Sequence, residues 1–191
     1  MLVEGRDEQE FFRELLRFLA IDDIQIHAYD GKDNLGNFIN NFVDVVGFDS
    51  VESIGVVQDA DESAQSALQS VRSRLRNAKL PVPLTYLQPA GETIKVQIFV
   101  MPDNESNGAL ENLCLAALAE DTAMECVNEF MECLSGKGIL PPENRLAKAR
   151  MNSFLASRDE PDTRLGIAAA KGYIPWTNAA FTDLTQFLKD L

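Results

Sequence analysis

The chain is 191 residues long, 46% hydrophobic and 25% charged, with a net charge of -13. That length suits one domain with a real core, and no apolar run approaches the ~20 residues that span a bilayer. The charge argues against long-range attraction to nucleic acid, which ordinarily shows as a basic patch, although a bound cation cancels negative charge locally.

Leu2-Val3 is a short apolar start closed by Glu4-Gly5. Phe11, Leu15, Leu16, Phe18 and Leu19 then recur near helical spacing through about Ala20. Residues 24–29 alternate and read as a strand, ending at a turn in which Asp33 is a helix N-cap candidate. The next helix carries Leu35, Phe38, Ile39, Phe42, Val45 and Val46. Val51 to Val57 reads as a buried strand that runs into Asp59-Ala60-Asp61, with a helix from about Ser63 to Ala78 capped by Asp61 or Ser63. Ile94, Val96, Ile98 and Val100 alternate in a further strand. Helices then dominate, around 109–119, 122–135, 142–157 and 177–190, with Trp176, Phe181 and Phe187 anchoring the last. The Pro/Gly cluster 136–142 divides the chain into a sheet-bearing core, 1–135, and a helical extension, 136–191, packed on it.

Strands alternating with helices imply an α/β fold with a mostly parallel sheet covered on both faces. Three cysteines, Cys114, Cys126 and Cys133, form no paired framework and read as reduced, buried thiols. Together with a start that lacks the features of a signal peptide, they place the protein in the cytoplasm, away from membranes. The single histidine, His27, sits in a predicted strand and reads as structural. It leaves zinc chemistry and a histidine-based triad without support.

In parallel sheets ligands bind at the carboxyl ends of the strands. Here every predicted strand ends in acids: Glu4, Asp30 to Asp33, Asp59 to Glu62, and Asp103 to Glu105. Asp59 and Asp61, two apart, converge on one point once the strand turns, and unpaired carboxylates at close range repel unless a cation intervenes. Their oxygens suit Mg²⁺ or Mn²⁺. Glu4 shares that point if its strand is adjacent, and Glu8 lies one helical turn further on, where an acid also suits the start of a helix. Lys32 follows a turn glycine, where a lysine contacts phosphate or solvent.

Val3-Glu4-Gly5-Arg6-Asp7-Glu8, followed by Asp59-Ala60-Asp61 after an apolar strand, resembles the Toprim domain of topoisomerases, primases and nucleases of the overcoming-lysogenization-defect type. Gly31 to Leu35, Asn107 to Leu113 and Arg164 to Tyr173 extend the resemblance to a group of small Toprim-like proteins. It implies a four-stranded Toprim-like, Rossmann-like sheet with a helical C-terminal part. It also implies that Asp59 and Asp61 hold Mg²⁺, and that Glu4 binds metal or assists proton transfer. Glu8 and Glu111 match further carboxylates that hold two metals in the nuclease branch. A lysine of the C-terminal part matches as well, either Lys148 or Lys171. No Walker-type Gly-x-x-x-x-Gly-Lys occurs in these residues.

Three functions follow as expectations. The first is nuclease-like, metal-dependent phosphodiester hydrolysis on DNA or RNA. The second is a non-catalytic module that holds metal or nucleotide within an assembly, with a protein partner or a second copy of the chain. The third is an interaction protein whose site has decayed.

Overall fold

The computed structural model describes residues 1–162 and 164–191. Strands β1 (Leu2–Val3), β2 (His27–Ala28), β3 (Ser53–Asp59) and β4 (Lys95–Met101) form one sheet in the order β2-β1-β3-β4, and each neighbouring pair is parallel. Among the described residues the helices are α1 (Arg6–Leu19), α2 (Leu35–Phe42), α3 (Ala64–Asn77), α4 (Leu110–Ala117), α5 (Ala123–Gly136), α6 (Glu143–Ala156), α7 (Leu165–Ala170) and α8 (Thr182–Lys189). The expected α/β architecture with a parallel sheet is the one the chain adopts.

The pleat sends alternate side chains into two cores. On one face Leu2, Ile54, Val56, Val96, Ile98 and Val100 meet Leu35 and Ile39 of α2 and Leu68, Val71 and Leu75 of α3. On the other face Val3, Val57, Phe99 and Met101 meet α1, α4 and the C-terminal helices through Phe11, Phe12, Leu113, Phe154 and Phe187. Trp176 packs edge-on against Phe11 at 5.0 Å, and Phe181 is buried beside it. Strands covered on both faces read as continuous apolar runs, which is why β3 and β4 stand out in the sequence.

Four expectations are corrected. The strand expected over 24–29 shrinks to His27–Ala28, because its partner β1 offers only Leu2 and Val3 to pair with. Asp33 caps no helix: residues 32–34 form a tight 3-10 turn, and α2 begins at Leu35 without a side-chain cap. That helix stops at Phe42, since Val45 and Val46 face solvent rather than core and Gly47 turns the chain with a left-handed φ of 96°. Cys126 and Cys133 are exposed, because α5 buries Met124, Val127 and Met131 instead; Cys114 alone is buried. Ser63, of the two candidates, caps α3 by accepting from Ser66 N at 3.1 Å.

No helix was expected over 165–170, and α7 shows why. Its free N–H groups are satisfied from across the fold: Asp7 of α1 accepts from Leu165 N at 2.9 Å and Gly166 N at 2.8 Å. A carboxylate there also suits the helix dipole. The two helices touch closely at Gly166, where an added Cβ would lie 2.5 Å from Glu10 Cβ and 3.0 Å from Asp7 O. The Arg164–Tyr173 segment therefore supplies a packing joint. Gly166→Ala is expected to cost about 1–3 kcal/mol, the usual penalty of overpacking. Urea unfolding measures this, and a midpoint equal to wild type would contradict the close approach.

Candidate functional site

β1 sits between β2 and β3, so the chain leaves β1 for one side and then crosses back to the other. The first connection, α1, lies on one face and the second, α2, on the opposite face. This is a topological switch point, where a crevice opens beyond the carboxyl ends of the strands. Glu4 follows β1 and Asp59 ends β3, so both stand at that crevice.

The turn after β3 is held at two points. Asp59 Oδ1 accepts from Leu110 N at 3.2 Å, which ties the strand end to the start of α4. Asp61 adopts a left-handed φ of 51° and exchanges two backbone hydrogen bonds with Gly108, at 2.8 and 2.9 Å. Gly108 has a φ of 132°, and an added Cβ there would meet Asn112 Oδ1 at 2.5 Å. Asn112 Oδ1 in turn accepts from Ala109 N at 3.0 Å. The Asn107–Leu113 segment thus splices Asp61 to α4 and brings Glu111, in the first turn of that helix, toward Asp59.

Glu8 approaches from the first turn of α1. Its carboxylate lies so close to Gly5 that a Cβ at that position would stand 2.8 Å from Oε2. A side chain at residue 5 would displace Glu8, so the glycine of Glu4-Gly5 serves the acid three residues on.

The electrostatics show that these acids share one region. Burial pushes Asp59 well above the ordinary carboxylate range, and the charges of Glu8, Glu4, Glu111 and Asp61 push it further. Glu4 is raised by burial, then by Glu8 and Asp61, against a hydrogen bond from the Lys32 backbone. Glu8 is raised by burial, and Asp7 and Glu111 add to this against backbone hydrogen bonds. Two lysines offset part of the charge. Lys32 Nζ meets Asp61 Oδ2 at 2.6 Å, and Lys148 Nζ on α6 stands 3.9 Å from Glu111 Oε1. Lys171 instead pairs with Glu160 at 2.8 Å, so of the two candidate lysines Lys148 is the one at the acids.

Other acids near the strand ends turn elsewhere. Asp103 folds onto its own loop, accepting from Glu105 N, Ser106 N and Ser106 Oγ. Asp7 serves α7. One residue of the site escaped the sequence reading: Tyr29, buried at the end of β2, donates its hydroxyl to Val57 O at 3.0 Å. Burial raises its pKa, and the charges of Glu4, Asp59 and Glu8 raise it further. Its position directly before Asp30 was the only signal for it.

An all-carboxylate donor set with mutual repulsion fits a hard divalent cation such as Mg²⁺ or Mn²⁺. As the side chains stand, among the described residues no three His, Cys, Asp or Glu groups are drawn together closely enough to enclose a metal ion. Asp61 and Glu111 are turned to their lysines.

Fold and site together define a class: a parallel α/β protein with carboxylates gathered over its switch point. The chain belongs to the family described as Protein of unknown function (DUF3226), whose family model matches residues 1–191. No curated protein and no solved structure matches it. Among the described residues no helix is long and apolar enough to cross a membrane.

A carboxyl raised by folding holds its proton more tightly in the native state than in the unfolded chain. Its ionised form therefore subtracts stability as pH rises through the folded pKa. Asp59→Asn keeps an acceptor for Leu110 N and removes the charge. It is expected to melt above wild type at pH 7.5, by about 2–4 °C for each 1 kcal/mol relieved. The gap should close as pH falls toward the ordinary carboxylate range. Thermal melts across that range test this, and a variant that melts below wild type at pH 7.5 would refute the repulsion.

Proposed function

We propose that this chain is a Toprim-like, divalent-metal-binding protein of the cytoplasm that carries out nuclease-like phosphodiester hydrolysis on nucleic acid. One observation carries the reading: Glu4 and Asp59 follow neighbouring parallel strands at the switch point of the sheet, and Glu8, Asp61 and Glu111 add their charges beside Asp59. Carboxylates held against their own repulsion are stabilised by a cation more than by solvent. The free thiols of all three cysteines suit a reducing compartment.

Glu4, Asp59 and Asp61 would hold Mg²⁺ or Mn²⁺, with Glu8 and Glu111 extending the set. The bound ion supplies neutralisation of phosphoryl charge and a more acidic water. Glu4, whose carboxyl burial raises above its ordinary value, would assist proton transfer. Lys148 beside Glu111 is placed to meet a phosphate oxygen, and Lys32 provides a second cation at Asp61. Tyr29 ties the end of β2 to β3 through Val57 O.

A second reading is favoured by one specific feature. Both lysines already neutralise ligand carboxylates, which suits a module that holds metal or nucleotide within an assembly without turnover. Calorimetric titration with Mn²⁺ tests metal binding: wild type is expected to bind, and Asp61→Asn to bind at least tenfold more weakly. Incubation of plasmid DNA and RNA with Mg²⁺ or Mn²⁺ separates the two readings. Nicking that is lost in Asp59→Asn supports hydrolysis, while binding with no cleavage supports the module. No binding at millimolar Mn²⁺ would sink both.

A further inference from the structure

The acids of this chain are unevenly spread. Residues 63–91 contain Arg72, Arg74, Arg76 and Lys79 and no Asp or Glu, in a protein of net charge -13. The helix dipole accounts for a basic residue in the last turn of α3, where Arg74 and Arg76 lie. It does not account for a run of 29 residues without an acid.

The placement of the four differs. Arg74 turns toward α2: its Nη1 bonds Ser70 Oγ, and its side chain lies about 3.6 Å from a Cβ built on Gly36. Gln65, Gln69, Arg72 and Arg76 instead follow helical spacing along one stripe of α3. Exposed Lys79 continues it past the helix end. Among the described residues none of Arg72, Arg76 and Lys79 makes an ion pair with a carboxylate. Arg72 reaches only Gln69 Oε1, at 3.4 Å, and its buried Nε has no acceptor. These are cations without counter-ions, next to two amides.

The stripe also has a direction. α3 begins at Ala64, three residues after Asp61, so its first turn adjoins the acidic crevice and its basic end points away. From residue 65 to 76 the rise is roughly 17 Å at 1.5 Å per residue, the axial rise of about five base pairs of a duplex.

We propose that the stripe Gln65, Gln69, Arg72 and Arg76, continued by Lys79, is the track that holds the sugar-phosphate backbone of nucleic acid leading to the acidic crevice. This deepens the proposed function and rests on it for the nature of the polymer. Arg and Lys neutralise phosphates and glutamine amides donate to their oxygens, without reading sequence. A lipid surface suits the stripe less, since it carries no large exposed apolar residue to enter the interface.

Fluorescence anisotropy with a labelled 30-nucleotide poly(dT) strand and a 30-base-pair duplex, in EDTA and over a range of KCl, tests the track without any metal. Wild type should bind at low salt. The triple variant Arg72→Gln/Arg76→Gln/Lys79→Gln should bind at least tenfold more weakly, with the slope of log affinity against log salt reduced by about 2–3, at 0.7–0.9 per phosphate contact. A charge-matched control, Arg13→Gln/Lys137→Gln/Lys189→Gln, should change affinity less than twofold. Circular dichroism melts of both variants should match wild type. Equal weakening in both variants, no binding by wild type at the lowest salt, or binding of phosphatidylserine vesicles in place of the oligonucleotides would each overturn the proposal. Because EDTA is present throughout, failure here leaves Mn²⁺ binding at the acids standing, and failure of Mn²⁺ binding leaves the track standing.

Discussion

Leu2 and Val3 pair with His27 and Ala28 of β2, and on the other side Leu2 pairs with Val56 of β3. Both side chains are fully buried, one in each core. This two-residue strand fixes where Glu4 emerges, and the helix that follows fixes where Glu8 returns. The same strand makes β2 short and separates it from β3, which creates the switch point. Parallel pairing sends every strand end, and every acid that follows one, to the same edge.

Gathering carboxylates at that edge works against folding, and the surrounding structure offsets the cost locally. Leu110 N and the backbone near Glu4 and Glu8 donate to the acids, while Lys32 and Lys148 reach in from α2's approach and from α6. Asp59 keeps an elevated pKa even so. An arrangement that leaves repulsion unrelieved in a deep part of the fold is typical of sites built for a ligand of opposite charge.

The chain also keeps its charges apart. The face built from α2 and α3 carries the acid-free run, whereas α5 alone exposes Glu125, Glu129 and Glu132. A large negative net charge repels a polyanion on average, so any approach of one must be along a surface where the sign is reversed. The outer stripe of α3 has that sign and begins beside the crevice.

The sequence by itself determined the fold class, the two long strands and most helices. β3 and β4 are covered on both faces and so appear as apolar runs, and the helices repeat their buried positions at a spacing that local chemistry enforces. It also determined that acids follow the strands, and the order of Glu4, Asp59 and Asp61 was legible without coordinates. Tertiary structure alone decided which of those acids meet. Asp103 closes on its own loop, and Asp7, an acid of the first turn of α1, caps α7 across 158 residues of chain. Lys148 rather than Lys171 stands beside Glu111, because α6 packs against α4. Tyr29 reaches Val57 O because β2 and β3 flank the same strand, β1. Spacing along a strand or helix reports only on neighbours within the element, whereas a hydrogen bond or ion pair between elements depends on how the two cores pack them together.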